Sequence, residues 1–211
     1  MKPTPALVTL LTLIFIAGCN KYQVNFLHEK NKVIAIQPLG DFDSLQSIYI
    51  GEEIADFYHR KVIVLKPIAL PPACMISQSH KLYSADSILN LLRSVIDGKI
   101  TEVVGLTHVD ICTSKEPASK EEPVSSDIKI IFGMSRLPGN VCVVSDYRLK
   151  DADLLILQHR IKTVTLHEMG HNLGLIHCSA AQCIMSDVNS NTAMLDKNEN
   201  CYCDKCKSRM K

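Results

Sequence analysis

His167, Glu168, His171 and His177 are the residues of this chain whose types and spacing can do chemistry. They fall in the run His167-Glu168-Met169-Gly170-His171-Asn172-Leu173-Gly174-Leu175-Ile176-His177. Histidines four residues apart project from one face of a helix, a turn apart. Their ring nitrogens can then share one Zn2+ at about 2.0–2.1 Å. Glu168 lies between them, where its carboxylate can take a proton from water on that metal. Gly174 lets the chain leave the helix with positive φ. His177 can therefore return as a third ligand and leave the fourth position open. That is a catalytic arrangement, because structural zinc sites are closed. A bare His-Glu-x-x-His is a weak signal. With the glycine and third histidine in register, chance yields the whole pattern less than about once in ten thousand chains of this length.

The cysteines that follow are spaced as tightly. Cys178 comes directly after the third histidine and Cys183 lies on the same segment, while Cys203 and Cys206 stand later with two residues between them. Four thiolates in two pairs would close a tetrahedral structural zinc site. Cys201 competes, since Cys201-x-Cys203 can also chelate; Cys203-x-x-Cys206 has the commoner turn geometry.

With Met185 included, His167 to Cys206 reads HExxHxxGxxH-C-x4-C-x-M-x17-C-x-x-C. This resembles the pattern of the archaemetzincins, a family of metzincin-clan zinc metallopeptidases. Weaker similarity extends upstream to about Val33, in Val104-Gly105-Leu106-Thr107, Asp110, Phe132-Gly133, Val143-Val144-Ser145 and Arg148-Leu149. The resemblance implies that His167, His171 and His177 hold a catalytic zinc and that Glu168 is the general base. It implies a second, structural zinc on Cys178, Cys183, Cys203 and Cys206, hence two zinc ions per chain. Met185 would sit on a tight turn beneath the catalytic metal. The expected reaction is hydrolysis of peptide bonds in a peptide or protein substrate. The expected fold is α/β (α+β), metzincin-like: a mixed, mostly parallel twisted sheet with backing and active-site helices, plus a small C-terminal zinc-stapled subdomain. Two other readings keep some of these features. One is a catalytically weak, zinc-containing peptide- or protein-binding lipoprotein. The other is a purely structural zinc protein, which needs neither the open position nor Glu168.

At 211 residues the chain is long enough for one domain with a sizeable core. A net charge of +1 and the absence of tryptophan give no basis for nucleic-acid binding. Residues 1–18 read as a lipoprotein signal peptide. Lys2 supplies the positive start, and the apolar run from Ala6 to Ile16 is too short to span a membrane stably. Ile16-Ala17-Gly18-Cys19 resembles the lipobox of bacterial lipoproteins. That resemblance implies lipidation at Cys19 and a domain held at a bacterial membrane, facing the periplasm or the cell exterior; an ordinary secretory signal is the other reading. Residues 19–32 would be a tether and 33–211 the metallopeptidase domain, expected as a monomer. Outside the cytosol oxidation competes with metal binding to thiolates, so the sulfur site must be metallated early or be buried.

The elements that must position these residues follow from periodicity. Val33-Ile34-Ala35-Ile36 reads as a strand, then a helix capped by Asp41 or Asp43 runs to about His59 with Leu45, Ile48, Ile54 and Phe57 on its apolar face. Residues 61–66 are a second apolar strand, so the crossover gives a parallel pair. The prolines at 67, 71 and 72 predict irregular chain. A helix opens at Ser84 or Asp86 and stops at Gly98; residues 103–109, 128–132 and 141–145 read as strands, with 113–127 a polar loop. Val141–Ser145 is expected at the sheet edge, where it would pair with extended substrate. The active-site helix spans about 152–173, packed through Leu154, Leu157, Ile161, Val164 and Leu173. The four-cysteine subdomain, 178–206, includes a poorly periodic stretch from Ile184 to Lys197 that should be held by zinc more than by a core. His28, His59, His80, His108 and His159 lack ligand spacing, and Tyr147 and Tyr202 are transition-state candidates by residue type alone. Cys74, Cys112 and Cys142 are buried thiols or include one disulfide.

Overall fold

A computed structural model describes residues 32–78, 80–113, 128–187 and 191–210. The leader, Cys19, the tether up to residue 31 and most of the 113–127 loop lie outside the described residues. In chain order the elements are β1 (Val33–Leu39), α1 (Ser44–Tyr58), β2 (Val62–Val64), β3 (Met75–Ser77), β4 (Leu82–Ser84), α2 (Ala85–Arg93) and β5 (Ile100–Thr107). There follow β6 (Asp110–Thr113), β7 (Lys129–Ile131), β8 (Gly133–Ser135), β9 (Val141–Ser145), α3 (Leu154–Asn172), α4 (Thr192–Leu195) and α5 (Asp204–Lys207).

The main sheet has the order β2-β1-β5-β9-β8. Its first four strands are parallel, and β8 closes it antiparallel to β9. Alternation along the buried strands divides the core. Ile34, Ile36, Val104, Leu106, Cys142 and Val144 pack on one face with α1 and α3; Ala35, Val103, Val141 and Val143 pack on the other with Ile88, Leu89 and Leu92 of α2. A second sheet, β3-β4-β6-β7, lies beyond.

Several expectations need correction here. Val141–Ser145 is not the edge strand, because β8 covers it. The chain bends after Ile131, so β7 joins the second sheet while β8 folds back on β9, with the Ser145 N–H donating to the Phe132 carbonyl at 2.8 Å. The stretch after Pro67 is not wholly irregular: it supplies β3 and β4. Leu45 and Ile48 are 77% and 46% exposed, because α1 packs through Gln46, Ser47, Ile50, Ile54 and Tyr58 instead. Leu154 is exposed as well, since the buried face of α3 begins at Arg160 and Ile161. The stretch after Ile184 does have a core: Ile184, Met185 and Leu195 are buried in the cluster that also receives α3.

Candidate active site and metal centre

Asp153 starts α3, its carboxylate accepting the Leu155 N–H at 2.8 Å. One turn apart near the other end, His167 and His171 bring their Nε2 atoms to 3.1 Å. Gly174, at φ +86°, turns the chain, and His177 returns so that its ring centroid lies 5.2 Å from that of His167 and 5.0 Å from that of His171. A ligand atom from each of the three lies within 4.8 Å of the other two.

The second nitrogen of each helical histidine is already used. His167 Nδ1 donates to the Ile184 carbonyl and His171 Nδ1 to the Leu175 carbonyl, both at 2.7 Å. A carbonyl can only accept, so Nδ1 carries the proton and Nε2 keeps its lone pair. Burial lowers the pKa of both rings, which favours the neutral ligand form. His177 Nδ1 lies 3.7 Å from Asp187 Oδ2. The donor set fits a zinc ion.

Glu168 is buried beside them, and the Ser135 hydroxyl donates to its Oε2 at 2.7 Å. Burial raises its pKa; the Ser135 hydrogen bond and the charge of His171 and His177 oppose that rise. Strand β8 approaches closely because residue 133 is glycine. A Cβ there would lie 2.8 Å from Glu168 Cγ and 2.9 Å from Val164 Cγ1. Phe132, Gly133, Ser135, Val164, Asp187 and Leu195 join the histidines and Glu168 around a cleft of about 250 Å³.

Behind the cleft the sulfurs pair, Cys178 with Cys203 and Cys183 with Cys206, each at 3.7 Å, and all four lie within 4.8 Å of one another. A tetrahedron of Zn–S bonds of about 2.3 Å needs S···S separations of roughly 3.8 Å, so this set also fits zinc. Cys201 stands outside it and contributes backbone, its carbonyl accepting the Ile184 N–H at 2.9 Å. Met185 is fully buried under α3 against Gly170, where an added Cβ would overlap its sulfur. Cys74, Cys112 and Cys142 are buried free thiols.

Neither candidate tyrosine lines the cleft. Tyr147 is half exposed elsewhere; Tyr202 is buried, its hydroxyl donating to the Leu166 carbonyl and meeting the Tyr58 hydroxyl at 2.7 Å. His108 engages Asp146, and His159 bonds the Leu195 carbonyl. Ser135, Asp187 and the Ile184 carbonyl escape the sequence reading. Ser135 reaches Glu168 across the sheet edge, and a backbone carbonyl has no side-chain signature.

Residues 50–211 match the profile of peptidase family M54. The chain belongs to that family. Archaemetzincin of Methanopyrus kandleri is 31% identical over 155 residues, covering 74% of this chain and 81% of its own. A crystal structure of archaemetzincin from that organism superposes with a TM-score of 0.70 at 26% identity, over 86% of this chain and 94% of the other. The archaemetzincin of Archaeoglobus fulgidus, crystallised with malonate, gives 0.67 at 28% identity over 84% and 99%. As an M54 peptidase of the archaemetzincin type, the protein is a zinc metallopeptidase.

Proposed function

We propose that peptide bonds are cleaved at the three-histidine centre, with Glu168 as general base and two zinc ions per chain. His167, His171 and His177 would hold the catalytic ion and Cys178, Cys183, Cys203 and Cys206 the structural one. The observation that carries this reading is the convergence of three imidazoles in an open cleft, the two helical rings with Nε2 free, beside a buried carboxylate. Zinc, when bound, acidifies water and polarises a carbonyl. Ser135 fixes one oxygen of Glu168, leaving the other to accept a water proton and pass it to the leaving amine.

Strand β8 is the edge on which an extended substrate would lie. Because the Phe132 carbonyl is taken by Ser145, alternation turns the backbone groups of Gly133 and Ser135 away from β9. Among the described residues no further strand pairs with them, so an added strand can. Glu168→Gln should keep the zinc and lower turnover by about 10²- to 10⁴-fold; unchanged hydrolysis would remove Glu168 from the mechanism.

The same reading places the domain at a bacterial membrane through lipid on Cys19, supported by the Ile16-Ala17-Gly18-Cys19 sequence. Two or three acyl chains would suffice as an anchor, and no helix among the described residues is long and apolar enough to cross a membrane. Cys19→Ala should move the protein from the membrane fraction to the soluble one, with loss of fatty-acid labelling.

A further inference from the structure

We infer that the four-cysteine site and the three-histidine site set each other's metal affinity, through the backbone of residues 183–185 and the hydroxyl of Tyr202. The inference rests on the reading that both sites hold zinc, and goes beyond it by making the sulfur site a positioning device.

Two struts at His167 come from residues beside a sulfur ligand, Ile184 and Tyr202. Ile184 follows Cys183, and its carbonyl receives the His167 Nδ1 proton at 2.7 Å. The Ile184 N–H is itself tied to the Cys201 carbonyl at 2.9 Å, and the Met185 carbonyl to the Cys178 N–H at 2.7 Å. Tyr202 stands between Cys201 and Cys203. Its hydroxyl donates at 3.0 Å to the carbonyl of Leu166, the residue before His167. On the other side of the link, His177 and Cys178 are joined by one peptide bond.

Burial of Ile184, Met185 and Tyr202 holds part of this geometry, and little regular structure adds to it. From residue 178 onward the regular structure described is two helices of four residues each. Cys183 and Cys206 are held by the core, but the partly exposed Cys178 and Cys203 complete the cluster from outside it, so an ion on the four sulfurs adds to the shape of the segment. When it loosens, the Ile184 carbonyl no longer fixes the His167 ring, and loss of such a partner typically costs about 10- to 100-fold in metal affinity. Coupling between binding sites is reciprocal. A filled histidine site must therefore hold Cys178 in place and tighten the sulfur site by the same factor.

Metal-free full-length protein titrated with Co2+, and then with Zn2+ against a chelator, tests this. Thiolate-to-cobalt absorption reports the sulfur site, and metal content reports the sum. His171→Ala keeps all four thiols, so its sulfur site should bind Zn2+ about tenfold or more weakly than that of the wild type with both sites filled. Cys206→Ser keeps all three histidines and should weaken their site comparably. Tyr202→Phe keeps all seven ligands and should weaken the histidine site severalfold; no change would remove Tyr202 from the coupling. Equal sulfur-site affinity in His171→Ala and wild type would make the sites independent and overturn the inference. A wild type that takes up one ion, on the sulfurs alone, would instead overturn the two-zinc reading beneath it.

Discussion

Gly170 lies between His167 and His171 of α3, and its missing side chain is what lets the sulfur of Met185 and the ring of Tyr202 lie against the helix. Gly170→Ala must displace one of them. Overpacking of this kind costs about 1–3 kcal/mol, to be read as a lower urea midpoint at unchanged slope. His108 offers a pH test away from the cleft. Its hydrogen bond to Asp146, at 2.8 Å, raises its pKa above the ordinary 6.5, helped by the charges of Asp146 and Asp41 and opposed by burial and Lys150. The folded state thus binds this proton more tightly than the unfolded one. The contribution is complete below the unfolded value and is lost as pH rises through the folded one. As pH rises from below the ordinary 6.5 through the raised folded value, the wild type should lose stability relative to His108→Gln. Parallel stability curves would show that the pair contributes nothing.

At the scale of elements, three-residue β8 carries more of the site than its length suggests. It supplies Ser135 to Glu168, brings Gly133 against the same side chain and forms a half-buried edge of the main sheet. Gly133→Ala should push the Glu168 carboxylate out of place and lower kcat far more than it changes KM; an unaltered kcat would mean that the strand yields instead. If substrate pairs with this margin, replacing one pairing amide of a good peptide by an ester should lower kcat/KM by about fivefold, the worth of roughly 1 kcal/mol for one hydrogen bond. Equal cleavage of amide and ester peptides would place the substrate elsewhere. Helix α3 is secured differently, by its Asp153 cap, by Arg160 bound to Asp196 at 2.6 and 2.9 Å, and by Lys162 paired with Glu53 of α1.

Taken as a whole, the described residues form a main sheet with an apolar core on each face, a second four-stranded sheet, and a C-terminal segment that borrows part of one core. The sheet depends on aliphatic burial, and in the proposed two-zinc reading the segment from Cys178 to Cys206 depends on burial together with its sulfur site. Stripping metal with a chelator should therefore speed hydrogen exchange in residues 178–206 while β1, β5 and β9 stay protected, measured peptide by peptide. A uniform rise across the whole chain would show that the two parts unfold as one unit.

The candidate ligand sets were legible in the spacing, with Cys201 left as a competitor, because a turn of helix and a short cysteine loop are local geometries whose reach the chain itself dictates. The central parallel strands were legible for a similar reason: a strand buried on both faces must be apolar throughout, as Val141-Cys142-Val143-Val144 is, whereas the equally apolar Val62-Ile63-Val64 lies at the sheet edge with Val64 exposed. The strands β3, β4 and β8 have three residues each, too few to display a period, and their pairing partners decide that they exist; β7, equally short, falls inside the expected strand 128–132. The tertiary structure also decided which strand forms the margin, that Ser135 meets Glu168 from 33 residues away, and that a carbonyl beside Cys183 holds His167. Each of these is a contact between segments distant in the chain. Its energy depends on the folded arrangement, so no stretch of sequence carries it by itself.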